Sequence, residues 1–163
     1  MNANAEPLAV VHIAHIRRET IVSTIINAAI SAGFFWFVFG EHDPVAVWGV
    51  GQWVFDYLPQ SFMIALMSTL VPGALTAKKL RAGTLTSSDQ LTRLPRSLII
   101  RALLLALTAA VLGSSSVGAI AWMLGVESLA NSTAMTLKVA YGAGLAFVIT
   151  PIGLRAALAR QSV

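Results

Sequence analysis

The sequence predicts an all-α polytopic membrane protein, with four transmembrane helices arranged as a tandem repeat of two helical hairpins. Composition, apolar runs and charge placement lead to this fold class. Of the 163 residues, 56% are hydrophobic and 11% are charged, whereas a soluble domain carries about 25% charged residues. Four long apolar runs alternate with hydrophilic segments, and the basic residues are concentrated in three of those segments. Lipid is therefore the expected solvent around the helices.

Each apolar run is long enough to form a membrane-spanning helix. About 20 mostly apolar residues cross the ~30 Å hydrocarbon core, and a helix satisfies its backbone hydrogen bonds internally. The predicted spans are Thr20 to Phe39, Val54 to Ala77, Leu98 to Leu124 and Ala134 to Leu158.

The basic residues predict the orientation of the protein. Ten of the eleven Lys and Arg residues lie in or beside the N-terminal segment, the middle loop and the C-terminal end. The other two loops carry Glu41, Asp43 and Glu127 and no Lys or Arg. By the positive-inside rule, both termini and the middle loop face the cytoplasm. We therefore expect a multi-pass protein of the bacterial inner membrane, in contact with lipid and not with nucleic acid.

An internal repeat divides the chain. An offset of 79 residues aligns the second half with the first without gaps. The identical pairs are Arg17/Arg96, Ile21/Ile100, Leu66/Leu145, Pro72/Pro151, Leu75/Leu154, Ala77/Ala156 and Arg81/Arg160. We predict a cytoplasmic interfacial segment at 1–19, a first hairpin at 20–81, a cytoplasmic linker at 82–97 and a second hairpin at 98–163. Because each unit has an even number of spans, the repeats are related by an axis along the membrane normal.

Small residues at intervals of four predict close packing of the helices. They are Ser61, Ala65, Thr69, Gly73 and Ala77 in the second helix, Ala102, Ala106, Ala110, Ser114 and Gly118 in the third, and Ala140 and Gly144 in the fourth. Such stripes lie on one face of a helix and let two backbones approach closely.

The first helix instead carries a polar stripe, with Asn27 near its centre. An unpaired amide in hydrocarbon is costly, so Asn27 is expected to point into the bundle, either as a contact between helices or as part of a pathway. Pro72 and Pro151 are expected to kink helices two and four. Their functional alternative is a hinge, or a freed carbonyl group that binds an ion.

Asp56 and Lys138 are the ionisable residues with the strongest functional interest, because charges inside a membrane segment are functional candidates. They lie at similar depth near the outer interface and can pair if helices two and four adjoin. We hypothesise that this pair closes the outer end of a pathway lined by Asn27, Ser68, Thr69 and Tyr141.

The sequence offers little evidence for a metal site, a cofactor or catalysis. The strongest metal candidates are His12, His15 and Glu19, which share one face of a helix from Pro7 to Glu19. The alternative for that segment is an amphipathic helix lying on the cytoplasmic leaflet. The run Gly113 to Gly118 contains a Gly-x-Ser pattern, but no His or Lys lies at the same depth to act as a base. The serines are instead expected to bond their own helix.

The arrangement of basic residues and prolines resembles small two-helix bacterial membrane proteins of unknown function, some of which occur duplicated. The resemblance is carried by Arg17 to Thr20, Val71 to Lys79 and Thr150 to Arg155. It implies the hairpin fold and no activity. Size and span number are also similar to small multidrug exporters, but those place a carboxylate in the first helix, and Thr20 to Phe39 has none.

Two functions are compatible with these sequence features. One is a transporter or channel for a small solute or ion, acting as a homo-oligomer because four helices enclose little space. The alternative is a non-catalytic subunit of a larger membrane complex, or an organiser of lipid. The polar stripe and the duplicated hairpin favour the first, and the stripes of small residues favour the second.

Overall fold

The computed structural model describes residues 5–88 and 92–159, with side chains described from Val10 onward. Outside the described residues lie 1–4, 89–91 in the linker, and 160–163. The last of these ranges includes Arg160, one of the basic residues from which the orientation was predicted. In chain order, the elements are α1 (Ala5–Phe39), β1 (Val45–Ala46), α2 (Tyr57–Arg81), α3 (Leu98–Met123), β2 (Ser128–Leu129) and α4 (Asn131–Leu158).

The four helices coincide with the four predicted spans, and each is long and apolar enough to cross a membrane. The main differences are at their starts. α1 continues without a break from Ala5, so the described part of the predicted interfacial segment is helical and continuous with the first predicted span. α2 begins at Tyr57, three residues later than predicted, because turns occupy the preceding residues, with positive φ angles at Gly49 and Gly51.

The bundle exposes apolar side chains and buries a number of polar ones among its core residues, as expected for a protein surrounded by lipid. On α1, Ile25, Ile26 and Ile30 are exposed, whereas Ser23 and Asn27 are buried. In water this distribution would carry a large penalty for exposed apolar surface and buried polar groups. In a bilayer it places each kind of group in its preferred environment.

Helices from different predicted hairpins pack together. α1 packs mainly on α4, and α2 packs on α3 and α4, whereas α1 with α2 and α3 with α4 make far fewer contacts. The spatial order is therefore α1–α4–α2–α3, and the two predicted hairpins interlock. The contacts between helices follow the same pattern in both halves: α1 contacts α4 as α3 contacts α2.

The chain alternates in direction, which gives the bundle two distinct ends. The basic end holds the start of α1, the end of α4, the linker between α2 and α3, and the last turn of α2 with Lys78, Lys79 and Arg81. At the opposite end, here called the sheet end, β1 and β2 pair antiparallel, with Val45 opposite Leu129. The loops there cover an aromatic cluster formed by Phe35, Phe39, Trp53 and Tyr57, with Val47 packed among the rings. The bundle is thus closed at the sheet end by packed side chains.

The burial pattern of the first half recurs in the second, but with two different offsets. At an offset of 79, the buried Ser23, Asn27 and Ser31 of α1 fall on the buried Ala102, Ala106 and Ala110 of α3. The buried positions of α2 instead recur in α4 at an offset of 81, in the pairs Ser61/Gly142, Ala65/Ala146, Thr69/Thr150 and Gly73/Leu154.

At the predicted offset of 79, those four α2 positions fall on exposed residues of α4, namely Ala140, Gly144, Val148 and Ile152. Two residues turn a helix by about 200°, which exchanges its inner and outer faces. The gapless alignment therefore does not describe the packing of α2 and α4. Pro72 is buried and Pro151 is half-buried, so the two prolines do not occupy equivalent faces.

Candidate functional site

The space between α1 and α2 is bridged by polar side chains. These two helices make few backbone-level contacts, yet hydrogen bonds or ion pairs join them at several depths. We call this row of residues the polar seam; it comprises His15, Glu19, Ser23, Asn27 and Ser31 of α1 with Gln60, Ser68, Thr76 and Lys79 of α2. The stripe that the sequence shows on α1 is one side of this seam.

At mid-membrane depth, the seam contains a cluster of hydroxyl and amide groups. The amide nitrogen of Asn27 donates to the Ser23 carbonyl oxygen at 2.8 Å and to the Ser68 hydroxyl oxygen at 3.2 Å. Ser23 Oγ donates to Ser68 Oγ at 3.2 Å, and Thr150 of α4 donates to Ser23 Oγ at 2.9 Å. All four side chains are buried. Three helices are thus joined by neutral polar groups, as expected where water is excluded.

Two further features add polar atoms beside this cluster. Pro72 has no N–H to give to the carbonyl oxygen of Ser68, four residues earlier. The buried hydroxyl of Thr20, on the turn of α1 before Ser23, has no hydrogen-bond partner among the described residues. The seam therefore has beside it a carbonyl oxygen that lacks its helical N–H donor and a hydroxyl group without a partner, which are polar groups that a water molecule can bond.

At the basic end of the bundle, the seam ends in a cluster of ionisable residues. His15 Nε2 lies 2.9 Å from Thr76 Oγ1, and Lys79 Nζ lies 3.5 Å from both His15 Nδ1 and Glu19 Oε1. Glu19 is largely buried, and the Lys79 side chain is 38% exposed. The cluster therefore forms a charged closure that water can still reach.

The predicted metal candidates do not converge as ligands. The Nε2 atom of His12 lies 2.8 Å from the Thr86 carbonyl oxygen, whereas His15 and Glu19 contact Thr76 and Lys79. Within the described ranges, no group of three His, Cys, Asp or Glu side chains is placed to hold a metal ion.

At the sheet end, Lys138 and Asp56 form a buried ion pair. Lys138 Nζ also donates to Gln60 Oε1 at 3.2 Å and lies 4.3 Å from the centre of the Tyr57 ring. Gln60 connects the pair to the seam, because its amide nitrogen donates to Ser31 Oγ at 3.2 Å. Helices two and four do adjoin here, and the pairing that the sequence suggested for Asp56 and Lys138 is present.

Two of the predicted pathway residues lie away from the seam. Thr69 donates to the Ala65 carbonyl oxygen of its own helix and packs against Gly153. The Tyr141 hydroxyl lies 2.6 Å from Ser61 Oγ, next to Gly113 on α3. Both lie where α2 packs on α3 and α4. Four of the six predicted residues therefore belong to the seam and its sheet-end closure, namely Asn27, Ser68, Asp56 and Lys138.

The serines of the Gly113 to Gly118 run behave as their spacing predicts. Ser114 Oγ donates to the Ala110 carbonyl oxygen and Ser116 Oγ to the Leu112 carbonyl oxygen, both at 2.6 Å. These bonds stay within α3, and neither hydroxyl contacts a general base.

The position equivalent to the seam in the second half is apolar. Ser23 and Asn27 correspond to Ala102 and Ala106 at the α1–α3 offset, and Ser68 corresponds to Ile149 at the α2–α4 offset. Ala106 and Ile149 belong to one buried apolar cluster. At the level of Ser23, Asn27 and Ser68, the same packing arrangement therefore exists once with polar groups and once without them.

Sequence reasoning did not single out Gln60, Thr76 or Thr150. No sequence pattern pairs them with the α1 stripe, and only the interlocked helix order reveals that they meet it. Comparison with protein-family models, with curated proteins and with solved structures finds no match to this chain.

Proposed function

We propose that this protein is a non-enzymatic transporter or channel for a small ion or solute, and that the polar seam is its pathway. In this proposal it is a multi-pass protein of the bacterial inner membrane. The basic end and both termini face the cytoplasm, because the Lys and Arg residues are concentrated there.

The observation that carries the proposal is the one-sided polarity of the bundle. Buried polar groups in a membrane protein are costly, and they contribute little to packing that apolar residues cannot supply. In the second half, alanine and isoleucine fill the equivalent positions in the same kind of helix contact. The fold therefore does not require Ser23, Asn27 and Ser68 to be polar, which favours a functional reason for them.

An acid–lysine pair at each end of the seam supports transport with controlled access. Glu19 pairs with Lys79 at the basic end, and Asp56 pairs with Lys138 at the sheet end. Each pair has no net charge while it is closed. A charged or hydrogen-bonding solute that competes for one partner opens the pair locally, and the neutral groups between the two pairs offer replacement contacts for the solute.

Replacement of Asn27 by alanine tests the proposal. Proton, Na⁺ and K⁺ fluxes are measured in liposomes that contain the purified protein and a trapped fluorescent indicator. We expect Asn27→Ala to lower the flux of the conducted ion by about 10-fold or more, the effect of losing one or two charge-stabilising hydrogen bonds. We expect stability to fall by no more than about 1 kcal/mol, since Ala106 packs at the equivalent position.

Ser116→Ala is the matched control, because this hydroxyl is exposed on α3 and bonds its own helix. It is expected to leave the flux unchanged. Equal flux in Asn27→Ala and wild type would contradict a pathway through the seam. If the wild-type protein conducts none of the three ions, the proposal is limited to an uncharged solute. That case is tested by measuring the swelling of liposomes in small polyols.

One feature of α4 is compatible both with the proposed homo-oligomer and with the alternative, an accessory subunit of a larger complex. Ala140 and Gly144 lie on the exposed side of α4, and a Cβ atom at Gly144 would meet nothing within 4 Å. This strip allows another helix to approach closely. We expect light scattering of the detergent complex to show an oligomer that Gly144→Leu dissociates. A monomeric wild type would instead favour the non-catalytic subunit of a larger complex.

A further inference from the structure

Arg101 is a buried cation that has no anionic partner among the described residues. It lies in the first turn of α3 and is 4% exposed. Its Nη1 atom lies 3.5 Å from the Pro95 carbonyl oxygen, a long contact, and its Nε has no hydrogen-bond partner among the described residues. Among the described residues, the ion pairs join Glu19 and Asp56 to other cations and do not include Arg101. A guanidinium with unused donors in a buried place is unfavourable unless an anion joins it.

The guanidinium is directed toward the start of its own helix. Pro95 lies two residues before the N-cap residue Ser97, whose hydroxyl accepts a hydrogen bond from the Ile100 amide at 3.4 Å. The other amides of the first turn have no partner within the helix, and the helix dipole makes this end positive. Ser97 and Ile99 are exposed, so an anion outside the protein can reach the helix start, with Arg101 as the buried side of the site.

The surrounding charge also favours an anion. Between Tyr57 and Val126 the sequence contains six Lys and Arg residues and one acidic residue, Asp89. Arg93 and Arg96 are exposed in the segment just before α3. Because this segment leads into a membrane-spanning helix, it lies at the depth of the lipid headgroups.

We propose that Arg101 and the N-terminus of α3 bind the phosphate group of an anionic phospholipid. Arginine recognises phosphate through paired N–H donors, and helix N-termini bind the same group through backbone amides. The two features together provide a site, whereas the exposed Arg93 and Arg96 provide only attraction at longer range. This site is separate from the polar seam and does not depend on the proposed transport function.

The test compares lipids on the delipidated protein in neutral detergent. Phosphatidylglycerol, phosphatidylcholine and inorganic phosphate are added separately, and binding is followed by the melting temperature and by native mass spectrometry. We expect phosphatidylglycerol to raise the melting temperature and to remain bound, and the other two to do neither. We expect Arg101→Gln to weaken phosphatidylglycerol binding by about 10- to 100-fold. Arg96→Gln removes the same charge from an exposed neighbour and is expected to retain binding.

A second measurement separates a lipid site from a purely structural arginine. Without lipid, Arg101→Gln is expected to melt at the same temperature as wild type or higher, because it removes an unpaired buried charge. If this variant does not fold, the comparison of lipids on the wild-type protein still decides the matter. Equal effects of phosphatidylglycerol and phosphatidylcholine, equal binding by both variants, or a full shift with inorganic phosphate alone would each overturn the proposal.

Discussion

Replacement of Lys138 by alanine is expected to lower the free energy of unfolding by about 3–5 kcal/mol, the usual cost of breaking a buried ion pair from one side. The loss leaves the Asp56 carboxylate buried among Tyr57, Gln60 and the aromatic cluster without its cation. The measurement is a denaturant titration of the purified protein in detergent, followed by tryptophan fluorescence. Trp53 reports directly, since its ring packs on Tyr57 with ring centres 4.9 Å apart.

Lys79→Ala is the matched control, because Lys79 also pairs with a carboxylate. Its side chain is 38% exposed, against 2% for Lys138, so water can replace the lost partner. We expect a loss of about 1 kcal/mol or less. Charge reversal at Asp56 or Lys138 alone should destabilise, and the double exchange Asp56→Lys with Lys138→Asp should recover part of the loss. Similar losses for Lys79→Ala and Lys138→Ala, or no recovery in the double exchange, would contradict the importance of the buried pair.

Replacement of Gly142 by alanine is expected to separate α1 from α4. A Cβ atom at this position would overlap the Ser31 hydroxyl and approach Ile64. The Ser31 hydroxyl must turn away, and the contacts of 3.1 Å with Ser31 Cβ and 3.2 Å with Ile64 Cδ1 require a small shift of these buried neighbours. Overpacking of this kind costs about 1–3 kcal/mol. The same shift breaks the bond between Gln60 and Ser31. We therefore expect both lower stability in the denaturant titration and lower ion flux in liposomes.

Gly144→Ala controls for helix propensity on the same helix, because a Cβ atom there meets nothing within 4 Å. It should leave stability unchanged or slightly raise it. Ser31→Gly combined with Gly142→Ala should recover stability by removing the overlapping side chain. Failure of this double variant to recover would show that the contact between Ser31 and Gly142 is not the limiting one.

The sequence predicted the helices well because lipid imposes a simple length and polarity requirement on each of them. The stripes of small residues were also informative on α2 and α3, since Ala65 and Ala106 are buried in one cluster, whereas Ala140 and Gly144 of the α4 stripe are exposed. The register between the halves was predicted less well. Identities at one offset gave Pro72 and Pro151 as equivalents, whereas the burial of α4 follows a different offset from that of α3.

The candidate site could be predicted only in part. Asn27 and Ser68 were identified because amides and hydroxyls in an apolar run must find partners. Which partner each one finds depends on the order of the helices in space. A simple hairpin would pack α1 closely against α2, but the chain places α4 beside α1 instead. For this reason Thr69 and Tyr141, which have suitable depth, lie at other interfaces.

The interlocked order of the helices has a consequence for biosynthesis. α1 packs mainly on α4, and α4 is synthesised after α1, α2 and α3. Until then, the polar face of α1 is in the bilayer without Thr150 and without the close packing that α4 supplies. The first half made alone keeps the hydrogen bonds between α1 and α2 but lacks the main packing partners of both helices, which belong to the second half. We therefore expect the two halves to reach the folded state only when they are made together.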